Sequence, residues 1–355
     1  MERAIARFLR DRGRISSHRV VRKVECVNWL LVGAGDIARK RVAPALRDAA
    51  NSELAAICDV REDVARELAN DLSVDEVFAD FDAALANSSA DAVYVATPVG
   101  LHTELAVRAL EAGKHVLVEK PLGLSGADCE RAVDAAEVTD RVAGCAYFRR
   151  LSPRYIHAKE MLERGEFGQV VAVRMTYFTW FNPEPDDPKY WRVIRSKSGG
   201  GILSDMGTHM FDVLIGLFGM PVSVFAKCDN LVHQWDVEDT GTMVMELANG
   251  AHVSASFNWN SKTWRHEFEV VGTEAKIDWL PYDAGPVVKT VGRDIQNVDL
   301  PNPENVHLPL VEDFVRALQE NRAPCCPLAE AAKTNRLLDA VYQSAEKNTL
   351  VECGG

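Results

Sequence analysis

A chain of 355 residues, 47% of them hydrophobic, can bury the cores of two domains. Its formal net charge of −12 argues against nucleic acid or an anionic membrane as a partner, and no apolar run reaches bilayer-spanning length. Eight cysteines lie scattered without a CxxC pair or zinc-type spacing, and the adjacent Cys325 and Cys326 suit neither a metal cage nor an easy disulfide, so they read as reduced thiols of a cytoplasmic protein.

Residues 1–25 are out of character. They hold eight Lys/Arg against Glu2, Asp11 and Glu25, a balance of +5, which leaves −17 on the rest. Arg-rich and without the apolar segment of a secretory signal, they read as a poorly ordered extension. Cys26–Val32 then reads as a strand that runs directly into Gly33-Ala34-Gly35-Asp36-Ile37-Ala38. This is the G-x-G-x-x-A form of the dinucleotide fingerprint. Gly33 permits the tight turn, Gly35 lets backbone approach a pyrophosphate, and Ala38 allows close helix–strand packing. The following helix, over 37–50, is kinked or broken at Pro44.

Leu54–Asp59 is the second strand. Asp59 stands where an acidic residue accepts hydrogen bonds from an adenosine ribose, and its charge repels a 2′-phosphate, which favours NAD over NADP. The plainer alternative is a turn or N-cap aspartate. Arg61 is a counterweight, since a guanidinium there would hold that phosphate. Phe78–Phe81 leads into a short helix. Asp91–Ala96 is the next strand and ends at Thr97-Pro98. Leu101–Ala112 carries Leu105, Ala106, Ala109 and Leu110 on one helical face, with Gly113 as a stop. His102 falls near that helix's start, where a lone histidine is more often a structural hydrogen-bonder than a catalyst.

His115-Val-Leu-Val-Glu119-Lys120-Pro121 is a β-branched run ending in a charge pair and a proline. Val116–Val118 reads as a strand buried on both faces, which puts Glu119 and Lys120 at its carboxyl end, where open α/β sheets bind ligands. Pro121 turns the chain out of the sheet and makes Lys120–Pro121 the cis candidate of the region. Helix Cys129–Val138 and strand Val142–Phe148 complete an alternation of strand and helix, and so a parallel sheet.

After about residue 150 the pattern changes. A helix, Tyr155–Arg164, ends at Gly165, and strand-like runs follow at Val170–Trp180, Val222–Cys228, Thr240–Leu247, His252–Trp259 and His266–Trp279. Asn249-Gly250 is a hairpin turn. Six of the seven tryptophans lie here, at 180, 191, 235, 259, 264 and 279, in number enough for a core, an oligomer interface and a stacking pocket. Phe314–Leu318 and Leu328–Ser344 read as closing helices. The sum is an α/β fold: a dinucleotide-binding domain over 26–150, then an α+β domain over 151–355 with a large, mostly antiparallel open sheet. Such a sheet needs a cover on its second face, which another copy of the chain would supply as a homodimer or homotetramer. Between the halves lies Gly199-Gly-Gly-Ile-Leu-Ser-Asp205-Met-Gly-Thr-His209-Met-Phe-Asp212. Asp205 and His209, at i and i+4, share a helical face, which suits a carboxylate orienting an imidazole for proton transfer, two metal ligands, or a cap beside a buried histidine.

Together these motifs resemble the glucose–fructose oxidoreductase/inositol dehydrogenase (Gfo/Idh/MocA) family, from residue 26 onward. The resemblance rests on Gly33–Ala38, Ala96-Thr97-Pro98 with His102, Glu119-Lys120-Pro121 and Gly199–Asp212. It implies a Rossmann domain, NAD or NADP held between two domains, and a sugar or polyol substrate oxidised or reduced at a CH–OH group. It implies cofactor contacts from the fingerprint with Ala34, Asp36 and Ile37, from Asp59 and Arg61, from Ala96, Thr97, Pro98 and His102, and from Glu119 and Lys120. It makes Lys120, Asp205 and His209 the catalytic set, with no metal. Val99 departs from the family's usual asparagine. In the expected mechanism His209 accepts the hydroxyl proton, Asp205 orients His209, and Lys120 stabilises the developing alkoxide. Tyr177, Trp191 and Arg192 are candidate substrate contacts. The rival readings are glycoside cleavage through transient oxidation by bound NAD, a non-catalytic dinucleotide sensor, and a metal enzyme built on Asp205 and His209.

Overall fold

The computed structural model describes residues 25–354, so the expectation for the N-terminal extension lies, Glu25 apart, outside the described residues. The first domain winds through β1 (Val27–Val32), α1 (Ala43–Asp48), β2 (Ser52–Cys58), α2 (Glu62–Leu72), β3 (Glu76–Phe78), α3 (Phe81–Asn87), β4 (Ala92–Val95), α4 (His102–Glu111), β5 (His115–Val118), α5 (Gly126–Thr139) and β6 (Ala143–Cys145). All its strand pairs are parallel, in the order β3-β2-β1-β4-β5-β6. The strands are near-continuous apolar runs because helices cover both faces, and every residue of β4 is buried. Pro44 lies inside a run that is helical without a break from 36 to 48, so its missing N–H leaves a gap in the helical ladder. The turn before it, Ala38–Val42, is widened to a π-helix.

The second domain contains α6 (Pro153–Glu163), β7 (Val170–Trp180), α7 (Arg195–Ser198), α8 (Thr208–Phe218), β8 (Ser223–Asp229), β9 (Thr240–Glu246), β10 (His252–Asn258), β11 (Asn260–Gly272), β12 (Ala275–Trp279), β13 (Val287–Val291) and β14 (Asp294–Val298). It is followed by α9 (Leu308–Glu320), α10 (Leu328–Lys347) and β15 (Val351–Glu352). Its nine strands run β14-β13-β12-β11-β7-β10-β9-β8-β15, antiparallel except for β7 beside β10. Along β9 buried and exposed residues alternate, so one face packs on helices and the other stays open.

Three expectations need correcting. The run His266–Trp279 is two strands, parted where Gly272 presses so close to Phe167 that a Cβ would meet its carbonyl oxygen at 2.1 Å. The hairpin β13–β14 was missed because β14 is almost wholly exposed and carries no alternating apolar pattern. The cut at residue 150 also fails for the C-terminal part. Phe314 of α9 packs on Trp29 at 5.3 Å in the first domain's core, while α10 begins in that domain, with Leu328 and Ala331, and ends in the other, with Leu337 and Val341.

Candidate functional site

The fingerprint turn forms where β1 ends. Gly33 has φ +96°, and a Cβ there would lie 2.6 Å from the Ala96 carbonyl oxygen, so only glycine fits. Gly35 is different: a Cβ there would meet no atom of the described residues within 4 Å. Nothing in the packing of the described residues demands glycine at that position, and the bare backbone leaves room for a pyrophosphate. Asp59 follows β2 and accepts from the Ala34 N–H at 2.8 Å and the Arg61 N–H at 2.9 Å. It therefore steadies the turn, with the largely exposed Arg61 side chain beside it. The residues present fit a dinucleotide. Asp36 is exposed and pairs with Lys40 at 2.7 Å.

A cavity of about 380 Å³ opens at the carboxyl edge of the parallel sheet, between the domains. It is lined by Ile37, Thr97, His102, Glu119, Lys120, Trp191, Arg192, Asp205 and His209, all anticipated from sequence, and by Arg41, Phe148, Met206 and His307, which were not. Two anticipated residues are placed differently. Tyr177 does not line the cavity; its ring stands edge-on to His266 at 4.9 Å. His102 has both ring nitrogens on backbone oxygens, Nδ1 at 2.8 Å from Pro121 and Nε2 at 2.7 Å from Thr97, so it tethers the ends of β4 and β5 and keeps no ring nitrogen for a cofactor.

Glu119 and Lys120 leave β5 in opposite roles, and the Lys120–Pro121 bond is cis. Glu119 is buried and accepts from the Tyr94 hydroxyl at 2.8 Å and from His307 Nε2 at 3.1 Å. Burial opposes its charge, but His307, Tyr94 and Lys120 outweigh that and hold it below the usual carboxylate range. Lys120 points its ammonium at the second domain, donating to the Asp205 backbone oxygen at 2.9 Å and to Asp205 Oδ1 at 3.4 Å. Burial lowers its pKa. Asp205 and Glu119 oppose the drop without cancelling it, and Arg192 and Arg149 add to it.

The expected Asp205–His209 hydrogen bond is absent. Leu203–Gly207 is a π-helical turn, which breaks the i,i+4 stacking the expectation relied on. The Asp205 carboxylate turns instead to cations, with Arg192 Nε at 3.6 Å as well as Lys120, and against its burial they hold it below the usual range. His209 is buried at the start of α8, edge-on to Phe148 at 5.6 Å, with Nδ1 unpartnered among the described residues. Burial, then the charges of Arg149 and Lys120, push its pKa well below the ordinary histidine value, so it is neutral at neutral pH. Among the described residues no third ligand joins Asp205 and His209 in a metal-holding group.

Phe148 and Arg149 were hidden in the domain junction. Arg149 is buried and paired with Asp283 through Nε at 3.1 Å and Nη2 at 2.6 Å. His307 lies in a loop without regular structure, and no motif flagged it.

Comparison with known proteins places this architecture. A model of the oxidoreductase family's NAD-binding Rossmann fold matches residues 27–147, and a model of the GFO/IDH/MocA C-terminal domain matches residues 155–278. Oxidoreductase P35 of Formosa agariphila is 28% identical over 317 residues, covering 88% of this chain and 97% of that protein. The 1,5-anhydro-D-fructose reductase of Ensifer adhaerens is 30% identical over 251 residues, covering 70% of this chain and 74% of that one. Among solved structures, levoglucosan dehydrogenase in complex with NADH superposes with a TM-score of 0.84 at 25% identity, over 92% of this chain and 99% of that one.

Proposed function

This chain belongs to the Gfo/Idh/MocA oxidoreductase family, and from that premise we propose that it transfers a hydride between a nicotinamide cofactor and a CH–OH or carbonyl carbon of a sugar, polyol or sugar derivative. The observation that carries the reading is the convergence of Lys120, from the dinucleotide sheet, and His209, from the second domain, on one cavity. The names of the relatives agree with the substrate class, among them a myo-inositol 2-dehydrogenase and a levoglucosan dehydrogenase. NAD is the preferred cofactor, on the position of Asp59 beside the Ala34 N–H.

Bound nicotinamide supplies the hydride chemistry, and the chain supplies position and charge. Lys120, gripped by Asp205, donates to the reacting oxygen and stabilises the alkoxide charge that develops there. His209 is held neutral and takes the hydroxyl proton on a ring nitrogen. Asp205 acts through Lys120 as a positioning residue, in place of the expected action through His209. Arg192, whose guanidinium lies 4.7 Å over the Trp191 ring, gives the substrate side of the cavity a polar and an aromatic wall. A panel of aldoses, inositols, sugar acids and nucleotide sugars, followed by NADH absorbance, tests the activity. No turnover with any class, in protein that binds NADH, would overturn it.

The open face of the nine-stranded sheet carries exposed Val171, Phe225 and Val244. This supports association with a second copy as a dimer or tetramer, which a monomer in light scattering would contradict. All eight cysteines are free, as in a protein of the reducing cytoplasm. No helix among the described residues is long and apolar enough to cross a membrane.

A further inference from the structure

The carboxylate-oriented imidazole of this cavity is not His209. It is His307, which reaches the first domain from the loop before α9. We propose that His307 contacts the cofactor: with its Nε2–H on Glu119, its Nδ1 accepts a hydrogen bond from an O–H or N–H of the nicotinamide–ribose half of the dinucleotide. This rests on the NAD-dependent reading above.

His307 is 2% exposed yet lines the cavity. An ionised carboxylate only accepts hydrogen bonds, so the 3.1 Å contact to Glu119 Oε1 puts the ring's hydrogen on Nε2. With the ring's hydrogen on Nε2, Nδ1 holds a lone pair and needs a donor. It is buried and has no partner among the described residues. A buried acceptor left bare is unfavourable, so the partner must come from whatever fills the cavity.

Chemistry narrows that partner. Pyrophosphate oxygens are acceptors and cannot serve Nδ1. Ribose hydroxyls and the carboxamide amino group are donors. Topology narrows it further. Asp59 marks the adenosine side of the sheet at β2, whereas Glu119 ends β5, across the point where strand order reverses. Among the cofactor's donors, the one facing His307 therefore belongs to the nicotinamide nucleoside. The ring is also set in place beforehand. Asn305 Nδ2 donates to the Arg41 carbonyl at 2.8 Å, the His307 N–H donates to Asn305 Oδ1 at 3.1 Å, and the ring lies 5.1 Å from Phe148.

The test separates the two nitrogens. Glutamine carries its amide where Nε2 was, and asparagine where Nδ1 was. NADH and ADP, which lacks the nicotinamide nucleoside, are titrated against wild type, His307→Gln and His307→Asn by calorimetry. The expected result is that His307→Gln, which keeps a donor for Glu119, binds NADH about tenfold more weakly, the loss of one hydrogen bond. His307→Asn, which keeps an acceptor at Nδ1, should lose less, and ADP affinity should not change in either. Wild-type NADH affinity in His307→Gln would overturn the proposal, leaving His307 a support for Glu119 alone. So would an equal loss of ADP affinity. Wild type that fails to bind NADH refutes the cofactor reading itself, which is a distinct outcome.

Discussion

Asp205→Asn separates the positioning role proposed here from the orienting role expected from sequence, because it removes a charge and keeps the shape. Lys120 Nζ lies 3.4 Å from Asp205 Oδ1 and 2.9 Å from its backbone oxygen, and the backbone bond survives the substitution. Two unit charges at that 3.4 Å separation attract by about 5 kcal/mol at an effective dielectric of about 20, and by about 1.2 kcal/mol in bulk water. The side chains are 14% and 26% exposed, so the pair belongs between those limits. That attraction helps keep the proton on Lys120, so losing the charge lowers the Lys120 pKa further. The sign follows from the carboxylate stabilising the ammonium, whose pKa burial already depresses. The alkaline limb of kcat/KM, where Lys120 is proposed to lose its proton, therefore moves to lower pH. The acid limb, where His209 is proposed to gain a proton, stays, because its depression comes first from burial and then from Arg149 and Lys120. The assay is a pH–rate profile of wild type and variant in one buffer series. An alkaline limb that does not move, or a shift of the acid limb alone, would refute the coupling and restore the orienting role.

Lys120→Ala and His209→Ala should bind NADH normally in calorimetry yet each lose roughly two to four orders of magnitude in kcat. The double variant should fall far short of the product of those losses, since both residues are proposed to act on one hydroxyl. Asp59→Ser should narrow the preference for NAD over NADP in kcat/KM, as the carboxylate leaves while Arg61, two residues on, remains; a wild type that prefers NADP would contradict the assignment. Phe314→Ala should cost about 3–5 kcal/mol in urea unfolding, because the ring is fully buried on Trp29 in the dinucleotide domain.

Much of the fold was legible because its signals are local. The parallel strands are near-continuous apolar runs, the fingerprint is a contiguous turn, and Asn249-Gly250 closes β9 onto β10 with Gly250 at φ +81°. What escaped depends on contacts distant in sequence. Nothing within 308–320 says that α9 packs beside Trp29 in place of closing its own domain, because an amphipathic helix specifies a buried face and not its partner. The break after Gly272 was written in one glycine whose reason, the approach of Phe167, lies more than a hundred residues away.

The site repeats that division with chemical consequences. Lys120, Asp205 and His209 were found as residue types at motif positions, and all three line the cavity. Their pairing was not found, because spacing in sequence fixes which side chains share a helical face only while the helix stays α. One π turn at Leu203–Gly207 undoes that, and a carboxylate placed near two cations and a neutral imidazole goes to the cations. The orienting partner of His209 is therefore not a carboxylate. Burial and the surrounding positive charge keep this imidazole unprotonated, which is the state a proton acceptor needs before reaction. The same positive charge that discourages a proton on His209 at rest favours negative charge on a nearby oxygen. In the proposed reaction the alkoxide charge that develops as the hydroxyl proton leaves would gain from Lys120, and the new imidazolium would gain from the alkoxide beside it. On that proposal proton acceptance is coupled to substrate, while the free protein keeps His209 unprotonated.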